Sequence, residues 1–173
     1  HAALLARLEQ QAMTDPLTDI ANRRAFEEEA AQMMARAQRS GSLVAVGIAD
    51  IDRFKEVNDA HGHPVGDVVL REVARRMVHA ARATDFVSRI GGEEFGLLFP
   101  DTGADAAMAV AERIRETICA EPVCVEEGLH LPTSISIGLA TLVPGMALEE
   151  ALASADCALY KAKNSGRNRV ERS

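Results

Sequence analysis

Aromatic residues are nearly missing from this chain: 3% of 173 residues, with no Trp and one Tyr. That removes the stacking platform on which single-stranded nucleic acid is usually held. Basic residues are outnumbered, 19 against 26 acidic ones, for a formal net charge of −7. A protein that tracks a nucleic acid backbone carries a basic footprint, so no nucleic acid partner is expected. No apolar run approaches the roughly 20 residues that cross a bilayer, and the opening residues show no secretory-leader pattern, so none is expected. The expected location is cytoplasmic, without membrane contact by this domain, even where the domain forms part of a larger, membrane-bound protein. Cysteine is sparse as well. Cys119, Cys124 and Cys157 are too few and scattered for a disulfide framework, and no C-x-x-C suggests zinc. Buried free thiols in a reducing compartment are expected. Lysine is the scarcest charged type, with Lys55, Lys161 and Lys163 beside 16 Arg, so each lysine position is informative.

What is present reads as one globular domain: 47% apolar and 26% charged residues over a length typical of a single unit. The chain opens on His1 rather than Met, which suggests a fragment of a longer protein. Residues 1–13 read as the end of an upstream linker helix, with Leu5, Leu8 and Ala12 at coiled-coil-like spacing. Residues 14–173 read as the domain proper. Thr14-Asp15-Pro16-Leu17-Thr18-Asp19 is turn chemistry, Asn22 an N-cap, and Ser40-Gly41 a helix stop. The apolar run 43–49 predicts a buried central strand ending at Asp50-Ile51-Asp52. Helices are predicted over 54–60 and from about Val65 to Met77, with a loop between them containing Gly62, Pro64 and Gly66. Strands 86–90 and 95–99 flank Gly91-Gly92-Glu93-Glu94 as a hairpin, whose glycines permit positive φ. Asp101 or Thr102 is the expected cap of the next helix. Residues 123–125 and 131–140 form a second strand pair, and a last amphipathic helix stops at Gly166 before a strand over 168–171. Such a string packs helices on a mixed, largely antiparallel sheet, in two layers.

Chemistry concentrates at a few places. Carboxylates at the end of a central strand, Asp50 and Asp52, suit Mg²⁺, although caps and acidic turns use the same residues. Glu93 and Glu94 are adjacent acids at a sheet edge, and neighbouring carboxylates repel unless a cation neutralises them. Lys55 can point an ammonium at a phosphate, and Asn58 and Asp67 offer groups that match a guanine edge. Lys163 and Arg167 near a helix C-terminus are explained by the helix dipole alone. Arg82 and Asp85 read alone as a surface ion pair worth little.

Together these motifs resemble the GGDEF domain of diguanylate cyclases over about residues 15–170. The matching stretches are Asp15-Pro16-Leu17-Thr18 with Asn22-Arg23-Arg24, then Asp50-Ile51-Asp52-Arg53-Phe54-Lys55-Glu56-Val57-Asn58-Asp59 and Gly62-His63 with Gly66-Asp67. They continue through Gly91-Gly92-Glu93-Glu94-Phe95, Ser134-Ile135-Ser136-Ile137-Gly138 and Ala158-Leu159-Tyr160-Lys161-Ala162-Lys163 with Gly166-Arg167-Asn168. The signature stands in its GGEEF form, and Asp19 replaces a frequent Gly.

The resemblance implies an α+β fold of the ferredoxin-like, nucleotide-cyclase/palm type, with a mixed, largely antiparallel sheet surrounded by helices. It implies an enzyme that condenses two GTP into cyclic di-GMP and two pyrophosphates, each 3′-hydroxyl attacking the other nucleotide's α-phosphate. Carried over, Asp50, the Ile51 carbonyl, Glu93 and Glu94 hold Mg²⁺ or Mn²⁺, and Glu93 accepts the hydroxyl proton. Lys55, Lys163 and Arg167 hold the triphosphate, with Lys55 stabilising developing charge. Phe54, Asn58, His63 and Asp67 surround the nucleoside, and Gly91 and Gly92 let it lie on the backbone. Arg82, Asp85 and Arg113 match an inhibitory site for the product. Two GTP sites must face each other, so a homodimer is implied, paired by an upstream sensor domain through the linker helix. The alternative is a module that binds GTP or cyclic di-GMP without turnover.

Overall fold

The computed structural model describes residues 1–173 except the side chains of Gln10 and Gln11. Fourteen elements follow in the order α1 (Ala2–Gln11), β1 (Ala21–Asn22), α2 (Arg23–Ser40), β2 (Val44–Ile51), α3 (Phe54–His61), α4 (His63–Ala80), β3 (Phe86–Arg89), β4 (Glu94–Pro100), α5 (Ala104–Cys119), β5 (Val123–Glu126), β6 (Leu129–Leu131), β7 (Ile135–Leu142), α6 (Leu148–Asn164) and β8 (Val170–Arg172). The result is an α+β fold whose mixed six-stranded sheet runs β1-β3-β4-β2-β7-β8, with six helices around it. The four inner strands are antiparallel, and β1 and β8 are short parallel edges.

All eight residues of β2 are buried, because helices cover both faces of the sheet. Ala45, Ala49 and Ile51 pack with Val69, Val73 and Met77 of α4 and Ile114 and Ile118 of α5. Val44, Val46 and Ile48 point the other way, toward Phe26, Ala30 and Met33 of α2 and Ala151, Ala155 and Leu159 of α6. The period of two in β2 therefore feeds two cores, and the layers number three rather than two.

Local signals mark several boundaries. The Asn22 side chain accepts from Ala25 N at 3.0 Å and caps α2. At the other end Gly41 takes φ 73 and its N–H reaches Ala37 O at 2.8 Å. Asp19, in the place of a frequent Gly, sits at φ 60, where Asp is one of the tolerated residues.

Four expectations need correction. The predicted loop through Pro64 and Gly66 is helical: α4 starts at His63, since Pro is welcome in a first turn where no N–H is needed. Thr102 does not cap α5, whose N-cap is Gly103; its hydroxyl instead donates to Pro100 O at 2.6 Å. Strand β5 pairs with a separate strand, β6, and not with β7, which belongs to the main sheet. Finally, all three cysteines are free and exposed rather than buried. Among the described residues no helix is long and apolar enough to cross a membrane.

Candidate active site

The central strand β2 delivers Asp50 to one end of the sheet. Asp50 is 6% exposed and stands opposite Glu94, the first residue of β4, and Ser136 on β7. Glu93 lies in the adjoining loop, where its carbonyl accepts from Ile51 N at 3.2 Å. From the last turn of α6, Lys163 Nζ reaches Asp50 Oδ2 at 3.0 Å.

Three carboxylates thus share a corner with one ammonium. Burial pushes the Asp50 carboxyl above its ordinary value, with Lys163 opposing. Glu93 is raised by burial and then by Asp50, and Glu94 by burial, Asp50 and Asp156. The corner is short of positive charge. Its donors are hard oxygens on rigid strand ends, a set that suits Mg²⁺ or Mn²⁺ better than a soft metal. Among the described residues no three acidic, His or Cys side chains form a ready-made cage.

The loop before Glu94 is closed by Ile90 N and Gly91 N, both donating to Glu94 O at 2.9 and 3.3 Å. Neither Gly91 nor Gly92 has a positive φ, contrary to the reason given for them above. Space is what matters at Gly92, where an added Cβ would meet nothing within 4 Å. A ligand can lie against that backbone.

A second group of residues surrounds α3. Phe54 opens this helix and is buried. Asn58, one turn on, has a buried Oδ1 with no hydrogen-bond partner. Gly66 of α4 makes room for it, because a Cβ there would strike Asn58 Oδ1 and lie 3.1 Å from the Phe54 ring. Asp67 follows, half-buried, and His63 is exposed at the start of α4. Lys55 and Arg167 are exposed, and among the described residues neither side chain has a partner.

Arg167 sits in a strained stretch. Gly166, Arg167 and Asn168 have φ of 115, 63 and 45. Such backbone persists only when surrounding bonds over-determine it. The holder is Asp52, whose role the sequence did not reveal. Its carboxylate accepts from Ser134 Oγ at 2.6 Å, Ser136 Oγ at 2.7 Å and Asn168 N at 2.9 Å. It ties the exit of β2 to the start of β7 and to the loop bearing Arg167. The serines at alternate positions were the available signal.

Arg82, Asp85 and Arg113 converge at the far end of α4. Arg82 Nη2 is 2.7 Å from Asp85 Oδ1, and the Arg82 N–H donates to Asp85 Oδ2 at 2.8 Å. The Asp85 side chain is only 1% exposed, so this is not the surface pair the sequence suggested. Arg82 also donates to Thr102 Oγ1 at 2.8 Å, and Arg113 Nε donates to Ala80 O at 2.7 Å.

Comparison with known proteins agrees with this geometry. The family model described as "Diguanylate cyclase, GGDEF domain" matches residues 12–169. The diguanylate cyclase DgcP of Pseudomonas aeruginosa is 41% identical over 162 residues, covering 94% of this chain and 24% of that protein. The response regulator PleD of Caulobacter vibrioides is 44% identical over 161 residues, covering 92% of this chain and 36% of that protein. The chain therefore spans about a quarter to a third of these relatives. Among solved structures, the coiled coil and GGDEF domain of DgcB from Caulobacter crescentus, in complex with c-di-GMP, superposes with TM-score 0.92 at 33% identity, covering 99% of this chain and 91% of that one. On sequence and fold together, the chain belongs to the diguanylate cyclase GGDEF-domain family.

Proposed function

We propose that this chain is a catalytic domain that condenses two GTP into cyclic di-GMP with release of two pyrophosphates. The observation that carries the reading is the acidic corner of Asp50, Glu93 and Glu94 with Lys163 at 3.0 Å from Asp50. A phosphoryl-transfer site needs this combination: oxygens for a cation and ammonium groups for a triphosphate. Cyclases of this family generally need a divalent metal. Asp50, the Ile51 carbonyl, Glu93 and Glu94 would hold Mg²⁺ or Mn²⁺, which supplies charge neutralisation at the transferring phosphate. Lys55, Lys163 and Arg167 would bind the triphosphate. Glu93 would accept the proton of the 3′-hydroxyl as its oxygen bonds to the α-phosphorus and the pyrophosphate oxygen departs. Burial and Asp50 raise the Glu93 carboxyl, the direction that suits a proton acceptor.

The nucleoside would lie over Phe54 and His63, with Gly91 and Gly92 below. The unpartnered Asn58 Oδ1 seeks a donor, and guanine offers N1–H and an amino group to it and to Asp67. Adenine lacks that donor face.

The reading is tested by incubating the chain with GTP and Mg²⁺, with ATP as control, and separating the products. Cyclic di-GMP from GTP alone is expected. Binding without turnover at high protein concentration would favour a receptor instead.

Each domain supplies one GTP site, so catalysis would proceed in a two-fold homodimer. Leu4, Leu5 and Leu8 of α1 are 59%, 58% and 52% exposed, an apolar face through which an upstream sensor domain could pair two copies. Fusion of α1 to a strong coiled coil is expected to raise activity, and unchanged activity counts against this role. DgcB is described in complex with c-di-GMP. For this chain, product inhibition would act through Arg82, Asp85 and Arg113. Because Arg82 already engages Asp85, product would have to compete with that ion pair. Arg82→Ala is expected to relieve inhibition, and equal product binding to both forms would end the idea.

A further inference from the structure

The turn carrying Glu93 is braced from outside by an arginine with no part in the roles above. Arg89 Nε and Nη2 donate to Gly92 O at 3.0 and 2.8 Å. That oxygen belongs to the peptide unit joining Gly92 to Glu93. A peptide is planar, so fixing its oxygen fixes the plane from which Glu93 departs. The other leg of the turn is held by backbone, through Ile90 N, Gly91 N and Ile51 N.

The same guanidinium is itself aimed. Arg89 Nη1 lies 3.1 Å from both carboxylate oxygens of Asp15, and these two side chains are 17% and 15% exposed. Asp15 is held in turn by Thr18, whose N–H and hydroxyl donate to Oδ2 at 2.9 and 2.6 Å. Its backbone closes the turn: Asp15 N donates to Ile20 O at 2.8 Å, and Asp19 N to Asp15 O at 2.9 Å. Burial alone would raise the Asp15 carboxyl, but the Thr18 bonds and Arg89 outweigh it and hold it below the ordinary value. It is therefore anionic at neutral pH.

Asp15-Pro16-Leu17-Thr18, read from sequence as a turn between helices, is thus bonded through one arginine to the catalytic loop. Strand β1 adds a parallel register with Ser88 and Arg89. Two ends of one planar fork are occupied by charge-assisted bonds, which a lysine cannot reproduce.

We infer that Arg89 and Asp15 are positioning residues of the cyclase reaction: Asp15 aims the Arg89 guanidinium at the Gly92 carbonyl, and Arg89 thereby sets the direction of Glu93. The inference rests on the reading of Glu93 as a group that holds the cation and takes the proton.

The test uses the full chain with Arg89→Gln, Arg89→Lys, Asp15→Asn and the exchange Asp15→Arg with Arg89→Asp. Four quantities are read: kcat, KM for GTP, the Mg²⁺ concentration for half-activation, and the thermal midpoint with and without Mg²⁺. Loss of outer contacts to metal-holding groups typically costs about 10–100-fold in affinity or activity. Arg89→Gln is expected to lower kcat within that range and to weaken half-activation by Mg²⁺, while KM for GTP moves by less than about threefold, since Asn58, Asp67 and the phosphate-side groups are untouched. Arg89→Lys should not rescue. The exchange should not recover kcat, because an aspartate at 89 cannot donate to the Gly92 carbonyl, and its thermal midpoint stays below the parent's because an arginine at 15 cannot accept from Thr18. Asp15→Asn, which keeps the Thr18 bonds, guards against loss of fold and should show a smaller shift of the same kind.

Unchanged kcat and Mg²⁺ half-activation in folded Asp15→Asn and Arg89→Gln would overturn the inference. So would recovery of kcat by the exchange, which would reduce Arg89 to a structural ion pair. The Mg²⁺-induced rise in thermal midpoint needs no turnover. If the parent chain makes no cyclic di-GMP, the cyclase reading fails while this readout still decides whether Arg89 orients Glu93.

Discussion

Asn58 and Glu93 each sit at some cost to the fold, a cost that the proposed ligand roles would explain. The buried Asn58 Oδ1 has no partner, and an unmet acceptor costs about 1–3 kcal/mol of desolvation. Asn58→Ala should therefore leave the thermal midpoint equal or higher, while raising KM for GTP about tenfold, as befits one lost hydrogen bond in a closed site. A fall in stability with unchanged KM would show that Oδ1 is not waiting for the base. Glu93 is raised by burial and by Asp50. Its ionised form is therefore strained in the folded protein, and that strain grows as pH rises through the raised value. Glu93→Gln should not lower the metal-free thermal midpoint near neutral pH. It should lose most of the Mg²⁺-induced rise and at least about 100-fold in activity, as loss of an activating ligand does. Differential scanning fluorimetry with and without Mg²⁺ checks both. Such pairs, stabilising for the apoprotein and harmful to function, mark sites built at the expense of stability.

At the scale of elements, the placement of α6 against the sheet decides where Lys163 stands. Gly138 of β7 lies directly under this helix, and a Cβ there would collide with Ala155 O and Leu159 N, both backbone atoms. Gly138→Ala should lift α6, cost about 1–3 kcal/mol through overpacking, and lower activity by moving Lys163 away from Asp50. Urea unfolding with an activity assay separates the two effects. Helices α4 and α5 are joined differently. Arg76 donates to Ile118 O, Glu121 O and Pro122 O at 2.8, 2.6 and 3.3 Å, and also pairs with Glu72 at 2.9 Å. Glu72 is lowered to about 2 from 4.5, first by its bonds to Arg75, then against burial by Arg76. A lowered carboxyl contributes stability above its unfolded value and loses it as pH falls toward the folded one. The acid limb of stability between about pH 5 and 2 should flatten in Glu72→Gln relative to the parent, measured by thermal midpoint against pH. These elements were legible to different degrees. Asn22, Gly41 and the continuous apolar run of β2 announced themselves because their causes are local. Pro132, which parts β6 from β7, was a local signal passed over. Asp52 was not legible in that way, since its partners Ser134 and Ser136 stand 82 and 84 residues away. The same holds for Asp85, whose burial depends on packing that no short window contains. At the site, residue types and order were readable, but the Lys163–Asp50 contact and the unmet Asn58 oxygen are products of tertiary placement.

The whole molecule is a sheet assembled from the middle outward by segments distant in the chain. Its central strand pairs Val44 with Pro100 on one side and with Leu142 on the other. The outer edge of β7 is covered only by β8, through Ile137 with Val170 and Leu139 with Arg172. This ordering has a consequence for a chain made from its N-terminus. Once β2 and β4 are out of the ribosome they can zip together, but one flank of β2 stays bare until β7 is synthesised, and the outer edge of β7 stays bare until β8 follows. Contacts of such long sequence separation form slowly, and unpaired apolar strands are the usual seeds of aggregation. A chain stopped after Arg169 should therefore accumulate as aggregates even though Asp50, Glu93, Glu94, Lys55, Lys163 and Arg167 are all retained. Size-exclusion profiles of the two lengths, expressed side by side, test this, and a monodisperse short chain would refute it. Strand β8, only three residues long, thus acts as the clasp that completes the sheet.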